Sequence, residues 1–246
     1  MPFEWHSYPD PRAAAEACSD RIVRSIEEAL GDRGYATLAL SGGSSPKMMF
    51  ARLAVSALPW DRLHIFWVDE RAVPPTDAES NYRLAAEMLL MPAHVPQRNV
   101  HRIRGELMPE AAARAYAREI REFFGLGAGE MPEFDVVHRG MGPDAHTASL
   151  FPGQPLLEDR QGLTAAVYLE SKSSWRITLL PGPLLAARAT FVLVAGADKT
   201  EALRDVFNEP NNPLRYPAQL GAREGRGAVW FLDSAAARLL DGAEDA

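Results

Sequence analysis

Short apolar runs alternate along the chain with segments in which apolar residues recur every three or four positions. Six runs have the composition of strands buried on both faces of a parallel sheet, at residues 35–40, 63–68, 134–137, 176–180, 189–194 and 228–232. The amphipathic segments predict helices at residues 11–30, 46–53, 80–91, 109–124, 198–207 and 234–240. This alternation predicts an α/β fold with a mostly parallel, doubly wound (Rossmann-like) sheet and helices on both faces.

The predicted fold indicates where the chemistry lies, because ligands of such sheets bind at the carboxyl ends of the strands. The chain has 246 residues, 47% of them hydrophobic, which suits one sizeable core. We therefore expect a single domain over residues 1–246. The segments 125–132 and 208–217 are predicted to be surface loops rather than linkers between domains.

A net charge of −7 argues against a nucleic-acid-binding surface, so an anionic ligand must be held by a local cluster of cations. The single cysteine, Cys18, forms no internal disulfide, and no Cys/His group has zinc-ligand spacing. The N-terminus lacks a signal-peptide pattern, and no apolar run approaches the roughly 20 residues that span a bilayer. We therefore expect a cytoplasmic protein without nucleic-acid or membrane partners; a monomer and a small homo-oligomer both stay open.

A glycine-rich segment, Ser41-Gly42-Gly43-Ser44-Ser45-Pro46-Lys47, joins the first predicted strand to a helix. Gly42 and Gly43 let the backbone approach a ligand, the hydroxyls of Ser44 and Ser45 add donors, and the helix start offers free N–H groups to an anion. The segment is a candidate phosphate cradle; a glycine turn with Ser45 as N-cap is the structural alternative. It matches neither the Walker A nor the dinucleotide-binding pattern, so neither ATP nor NAD is indicated.

Two carboxylates and a guanidinium follow the second predicted strand, in the run Asp69-Glu70-Arg71. Arg71 can donate a planar fork to a carboxylate or a phosphate. The alternative is an internal ion pair at the end of a strand. The run 79–82 downstream indicates the start of a helix, with a capping role rather than a chemical one.

The strand predicted at 134–137 runs into a glycine-rich loop that carries Asp144 and His146. An imidazole suits general-base catalysis on a water molecule near neutral pH, and a neighbouring carboxylate can fix its tautomer. The alternative is a capping aspartate beside a structural histidine. The other histidines lie in strand or loop contexts and are interpreted as structural: His6, His64, His94, His101 and His138.

Two further cations lie at the boundaries of other predicted elements. Arg176 heads a strand and Lys199 opens a helix. Cations from different strands can converge on one phosphate, with lysine as a point charge and arginine as a fork. Each of them alone is typical of a surface cation, so their interpretation depends on the whole set.

Together these segments resemble the glucosamine-6-phosphate isomerase/6-phosphogluconolactonase family over nearly the whole chain. The blocks that carry the resemblance are residues 41–46, 69–74, 80–82, 140–153, 176–178, 196–199 and 216–219. The run His146-Thr147-Ala148-Ser149-Leu150-Phe151-Pro152 is the most specific of them. The order and spacing of the blocks match the family.

The resemblance implies hydrolysis of 6-phospho-D-glucono-1,5-lactone to 6-phospho-D-gluconate in the oxidative pentose phosphate pathway, without metal or cofactor. It also implies the fold of the glucosamine-6-phosphate deaminases. By the same resemblance His146 is the general base, Asp144 assists it or orients the substrate, and Arg71 acts near the reacting end. The phosphate-binding residues that it implies are Gly42, Gly43, Ser44, Ser45, Arg176 and Lys199.

The chain departs from the family pattern in the loop itself. Gly142-Pro143-Asp144-Ala145-His146 stands where the family usually has Gly-Glu-Asp-Gly-His. If position 145 needs a positive φ, alanine there costs about 1 kcal/mol. The preceding strand ends in His138-Arg139 instead of apolar residues, which places an extra cation close to the loop. These departures bear on rate and substrate preference rather than on the reaction class.

Two other functions share parts of this pattern. The amino-sugar phosphate isomerase/deaminases carry a carboxylate five positions after the loop histidine, where this chain has Phe151. A non-catalytic sugar-phosphate sensor is motivated by Pro143, Ala145 and Arg139, but sensors of this fold that regulate transcription carry a DNA-binding segment, and we expect none here. Both stay alternatives to lactone hydrolysis.

Overall fold

The computed structural model describes residues 4–43, 45–220, 226 and 228–240. Within them the strands are β1 (Glu4–Tyr8), β2 (Ala36–Leu40), β3 (Leu63–Trp67), β4 (Asp69–Arg71), β5 (Val100–His101), β6 (Val136–Arg139), β7 (Thr164–Leu169), β8 (Ser174–Leu179), β9 (Ala189–Val194) and β10 (Ala228–Asp233). The helices are α1 (Pro11–Arg33), α2 (Pro46–Ala54), α3 (Asn81–Ala85), α4 (Pro109–Phe124), α5 (Pro181–Ala186), α6 (Thr200–Asn208) and α7 (Ser234–Ala237). None of the described helices is long and apolar enough to cross a membrane.

Seven strands form a parallel sheet in the order β1-β10-β9-β6-β2-β3-β5, which confirms the predicted fold class. Neighbouring residues of the central strands belong to two apolar clusters, because side chains alternate between the faces of a sheet. Phe191 and Phe231 share one cluster with α1, whereas Val192 and Trp230 share the other with α6 and α7. Helices therefore cover both faces, as the alternation along the chain predicts.

One predicted strand lies outside this sheet. β8 pairs antiparallel with β4 and with β7 in a separate three-stranded sheet. Its apolar run resembles those of the parallel strands, so local sequence does not separate the two environments. The consequence for the site is that Arg71 in β4 lies directly opposite Arg176 in β8.

Several element boundaries differ from the predicted ones. Helix α1 continues past Gly31 and ends at Gly34, whose φ of 78° forms a left-handed cap. The helix predicted at 80–91 is α-helical only to Ala85 and continues as a π turn over Ala86–Leu90. Strand β1, which the pattern does not predict, pairs with β10 at one edge of the sheet.

Strand β6 extends two residues beyond its predicted end and buries a histidine and an arginine. Both ring nitrogens of His138 lack a hydrogen-bond partner among the described residues, and burial lowers the pKa of His138 to about 3. Arg139 pairs in register with Val192 and donates from Nη2 to the carbonyl oxygen of Leu220 at 2.6 Å. The extra cation is therefore buried and is not among the side chains that line the cleft described below.

His138→Leu should flatten the acid side of the stability profile. The pKa of His138 is about 3 in the folded protein, whereas an unfolded histidine has a pKa of about 6.5. Between these values the unfolded chain binds a proton that the folded chain excludes. The contribution of His138 to the free energy of unfolding is therefore fully present above the unfolded pKa, and it is lost as the pH falls below that value. This one group contributes a slope of about 1.4 kcal/mol per pH unit.

Urea unfolding across this pH window measures the slope in the wild type and in His138→Leu. His94→Asn is the matched control, because His94 is exposed and removing its ring should leave the wild-type slope in place. An identical acid slope in His138→Leu and in the wild type would show that His138 does not titrate as its burial implies.

Candidate active site

The glycine turn after β2 is shaped by a contact with Asn81. A β-carbon at Gly42 would lie 1.8 Å from Oδ1 of Asn81, so a glycine is required there. Gly43 has a φ of 114°, which disfavours other residues. Ser45 precedes α2, but its side chain makes no capping hydrogen bond, so a purely capping interpretation is wrong. Ser44 lies outside the described residues.

The carboxylate of Glu70 holds the start of α3 instead of pairing with the guanidinium of Arg71. It accepts hydrogen bonds from the backbone N–H groups of Arg71, Asn81 and Tyr82 and from Oγ of Ser80, at 2.7–3.0 Å. Burial raises the pKa of Glu70, and these four donors oppose the shift. The guanidinium of Arg71 donates to the carbonyl oxygen of Glu79 at 2.5 Å. The expected helix start is therefore confirmed, and Arg71 keeps donors for a ligand.

Asp69 lines the cleft, although the sequence pattern alone did not predict a functional role for it. Its Oδ2 accepts from Oγ of Ser149 at 2.8 Å, and its Oδ1 lies 3.4 Å from Nδ2 of Asn81. These contacts join β4 to α3 and to the 140–153 loop. The alternation of side chains along a strand could have indicated it, because it places Asp69 and Glu70 on opposite faces and so gives them different roles.

The loop after β6 closes into a tight turn. Gly142 donates from its N–H to the carbonyl oxygen of His146 at 2.9 Å, and Ala145 donates back to the carbonyl oxygen of Gly142 at 3.0 Å. Ala145 has a φ of 63°, so this alanine occupies the left-handed region in which the family usually has glycine. The turn brings the side chains of Asp144 and His146 together.

His146 and Asp144 form a hydrogen-bonded pair at the cleft. Nδ1 of His146 lies 2.5 Å from Oδ1 of Asp144, and the backbone N–H of His146 donates to the same oxygen at 3.2 Å. Phe151 stacks on the imidazole with ring centroids 4.1 Å apart. Burial disfavours the ionised form of Asp144, but the hydrogen bonds and charge of His146 outweigh it and hold the pKa of Asp144 below its ordinary value. Because Nδ1 is engaged, Nε2 is the nitrogen that can take a proton from a ligand or a water.

The three predicted cations do not all reach the same place. Arg71 and Lys199 line the cleft, and Nζ of Lys199 lies 2.6 Å from Oδ2 of the exposed Asp198. Arg176 lies opposite Arg71 but does not line the cleft. Burial and the charge of Arg71 lower the pKa of Arg176. The two guanidinium groups repel each other, so an anion near them would be favoured.

One cleft of about 210 Å³ collects most of the predicted site at the carboxyl edge of the sheet. The polar and glycine residues that line it include Ser41, Gly42, Gly43, Ser45, Asp69, Arg71, Asn81, Gly140, Gly142, His146 and Lys199. Across the described part of the chain, no group of three or more His, Cys, Asp and Glu side chains is arranged to hold a metal ion. The cleft therefore brings two cations and the glycine turn to the same place as the imidazole of His146.

The sheet and the cleft define a doubly wound α/β protein that has two cations, Arg71 and Lys199, and a histidine–aspartate pair at its carboxyl edge. Residues 9–230 match the model of the family described as glucosamine-6-phosphate isomerases/6-phosphogluconolactonase. The chain belongs to this family.

Relatives with assigned names and solved structures agree with this membership. The chain is 37% identical over 233 residues to a protein from Nostoc sp. named 6-phosphogluconolactonase, with 94% of this chain and 96% of the relative covered. The solved structure of 6-phosphogluconolactonase from Trypanosoma brucei superposes with a TM-score of 0.87 at 28% identity, covering 98% of this chain and 99% of that one. A monomeric glucosamine-6-phosphate deaminase superposes with a TM-score of 0.81 at 18% identity, covering 96% and 99%, and so shares the fold.

Gly42→Ala should disrupt the cleft, because the added methyl group would overlap the side chain of Asn81. We expect a loss of about 1–3 kcal/mol in the free energy of unfolding, together with weaker binding of inorganic phosphate. Urea unfolding and calorimetric titration measure the two effects.

Gly31→Ala is the matched control for this substitution. A β-carbon at Gly31 meets nothing within 4 Å, so alanine in this helical position should stabilise the protein by about 0.5–1 kcal/mol. A Gly42→Ala variant with wild-type stability and phosphate affinity would contradict the geometry of the turn.

Proposed function

We propose that the chain hydrolyses 6-phospho-D-glucono-1,5-lactone to 6-phospho-D-gluconate in the oxidative pentose phosphate pathway, with His146 as the general base. Membership of the family and 37% identity to a relative named 6-phosphogluconolactonase support the reaction. The observation that carries the mechanism is the His146–Asp144 pair at a cleft that also holds Arg71 and Lys199.

In this mechanism Nε2 of His146 removes a proton from a water molecule as the water oxygen attacks the lactone carbonyl carbon. The carboxylate of Asp144 accepts the Nδ1–H bond, fixes the tautomer and stabilises the imidazolium that forms. Collapse of the tetrahedral intermediate breaks the bond between the carbonyl carbon and the ring oxygen. The imidazolium returns its proton to that oxygen, which becomes the hydroxyl group of the product.

The phosphate group would lie among the glycine turn, the start of α2 and Lys199. The N-terminus of α2 presents backbone N–H groups, and the hydroxyl of Ser45 makes no capping bond. Lys199 supplies a positive charge from the start of α6. Ser44 and Arg176 stay predicted members of this site. Arg176 is kept because it lies opposite Arg71 in the small sheet.

Donors for the developing oxyanion must come from groups that the turn leaves unused. The N–H groups of Gly142 and Ala145 already bond inside the turn, to the carbonyl oxygens of His146 and Gly142. The guanidinium of Arg71 lines the cleft and can stabilise the negative charge on the carbonyl oxygen.

The deaminase alternative has no observation in its favour at this site. Phe151 occupies the position of the deaminase carboxylate and stacks on His146. The resemblance to a solved deaminase is one of fold, at 18% identity. A single-domain organisation, a cytoplasmic location and either a monomer or a small homo-oligomer stay predictions.

His146→Ala should lower kcat for lactone hydrolysis by about 10²–10⁴-fold, because the base is removed while the phosphate-binding groups stay. The release of acid at neutral pH, corrected for spontaneous hydrolysis, measures kcat. Asp144→Asn should reduce kcat in the same direction, since it removes the charge that stabilises the imidazolium. Near-normal turnover in His146→Ala would refute the assignment of the base.

Lys199→Ala should raise KM for the phosphorylated lactone by about tenfold or more, since a charged hydrogen bond to phosphate is lost. The same variant should hydrolyse unphosphorylated glucono-1,5-lactone as the wild type does. This substrate pair is the control, because both carry the same reacting carbonyl. An equal KM change for both lactones would remove Lys199 from the phosphate site.

A further inference from the structure

The run Tyr216-Pro217-Ala218-Gln219 has no role in the chemistry described above, yet its last side chain is fully buried. Oε1 of Gln219 accepts the backbone N–H of Asn212 at 2.6 Å, and Nε2 donates to the carbonyl oxygen of Val206 at 3.1 Å. Nε2 also lies 3.3 Å from the carbonyl oxygen of Glu209. Gln219 thus satisfies backbone groups at the end of α6 and folds the following loop around its side chain.

This folded loop holds the catalytic segment at two points. Ala218 donates from its backbone N–H to the carbonyl oxygen of Ala145 at 2.8 Å, and Gly153 donates to the carbonyl oxygen of Leu214 at 2.8 Å. Tyr216 and Ala218 also share an apolar cluster with Ala145. The loop that Gln219 organises therefore supports the 140–153 segment from behind.

The bond from Ala218 acts at the strained position of that segment. Ala145 has a φ of 63°, in the left-handed region that is strained for a residue other than glycine. The carbonyl group of Ala145 belongs to the peptide bond that leads into His146, so a fixed hydrogen bond on it fixes the direction in which His146 leaves the turn. Such strain persists only where the surroundings hold it.

We propose that Gln219 is a positioning residue for His146, acting through Ala218 and Ala145. This inference rests on the proposed function. Gln219 does not touch the cleft; its side chain keeps the loop after α6 in the shape that presents the N–H of Ala218. Helix α6, whose last turn bonds to Gln219, begins directly after Lys199. This one helix therefore supports both the phosphate-binding cation and, through the loop that follows it, the base.

Gln219→Met keeps the length of the side chain and removes its polar groups. We expect kcat for the phosphorylated lactone to fall by about 10- to 100-fold, because the base is misplaced, with little change in KM. Thr164→Val is the matched control. It removes the bond from Oγ1 of Thr164 to the carbonyl oxygen of Ala113. Neither residue lines the cleft, so this variant should lower stability without changing kcat.

A double-mutant cycle separates positioning from a general loss of structure. In the His146→Ala background Gln219→Met should cause no further loss of kcat, whereas two independent effects would multiply. Multiplying losses, a wild-type kcat, or a raised KM with unchanged kcat would each overturn the proposal. Should Gln219→Met not fold, Gln219→Glu keeps the acceptor for Asn212, loses the donor to Val206 and is expected to show the same loss.

A second readout is independent of the reaction. The imidazole NMR signals of His146, assigned by their disappearance in His146→Ala, should shift in Gln219→Met and stay in place in Thr164→Val. If the wild type does not hydrolyse the lactone, the proposed function fails while this experiment still decides the positioning role. Unchanged His146 signals in the folded Gln219→Met variant would overturn it.

Discussion

A β-carbon at position 142 would lie 2.0 Å from Nδ1 of His146 and 2.7 Å from Oδ1 of Asp144. The space that Gly142 leaves empty is therefore the space in which the side chains of His146 and Asp144 meet. In the turn around this space Ala145 adopts a left-handed conformation, and the ring of Phe151 stacks on the imidazole of His146. Because Ala145 is not glycine, the turn depends on support from outside the loop, and the segment around Ala218 provides it.

The second layer of the site consists of buried polar groups that join separate elements. Glu70 holds the start of α3, and Asn81 then reaches both Asp69 and the space left by Gly42. Ser149 bonds to Asp69 and so links the base-bearing loop to β4. Buried carboxylates with several donors specify one arrangement. The glycine turn after β2 and the loop that carries His146 are thereby held in a fixed relation.

Much of the fold and part of the site could be predicted from the sequence. Apolar runs predicted five of the seven parallel strands, β2, β3, β6, β9 and β10. The rule that ligands bind at strand ends selected the segments that carry Gly42, Arg71, His146 and Lys199. The antiparallel placement of Arg176 was not predictable, because a short apolar run has the same sequence pattern in a parallel and in an antiparallel sheet. Gln219 was missed as a functional residue because its role depends on carbonyl groups brought together by the folded loop. The buried position of Arg139 likewise follows from tertiary packing.

In the proposed mechanism one cleft binds the phosphate near the glycine turn and Lys199 and presents the reacting carbon to His146. A crystal structure of the complex with 6-phospho-D-gluconate tests it most directly. We expect the phosphate group to lie against Gly43, Ser45 and Lys199 and the carboxylate to lie within hydrogen-bond distance of Nε2 of His146. A product bound in the reverse direction, or outside this cleft, would contradict it.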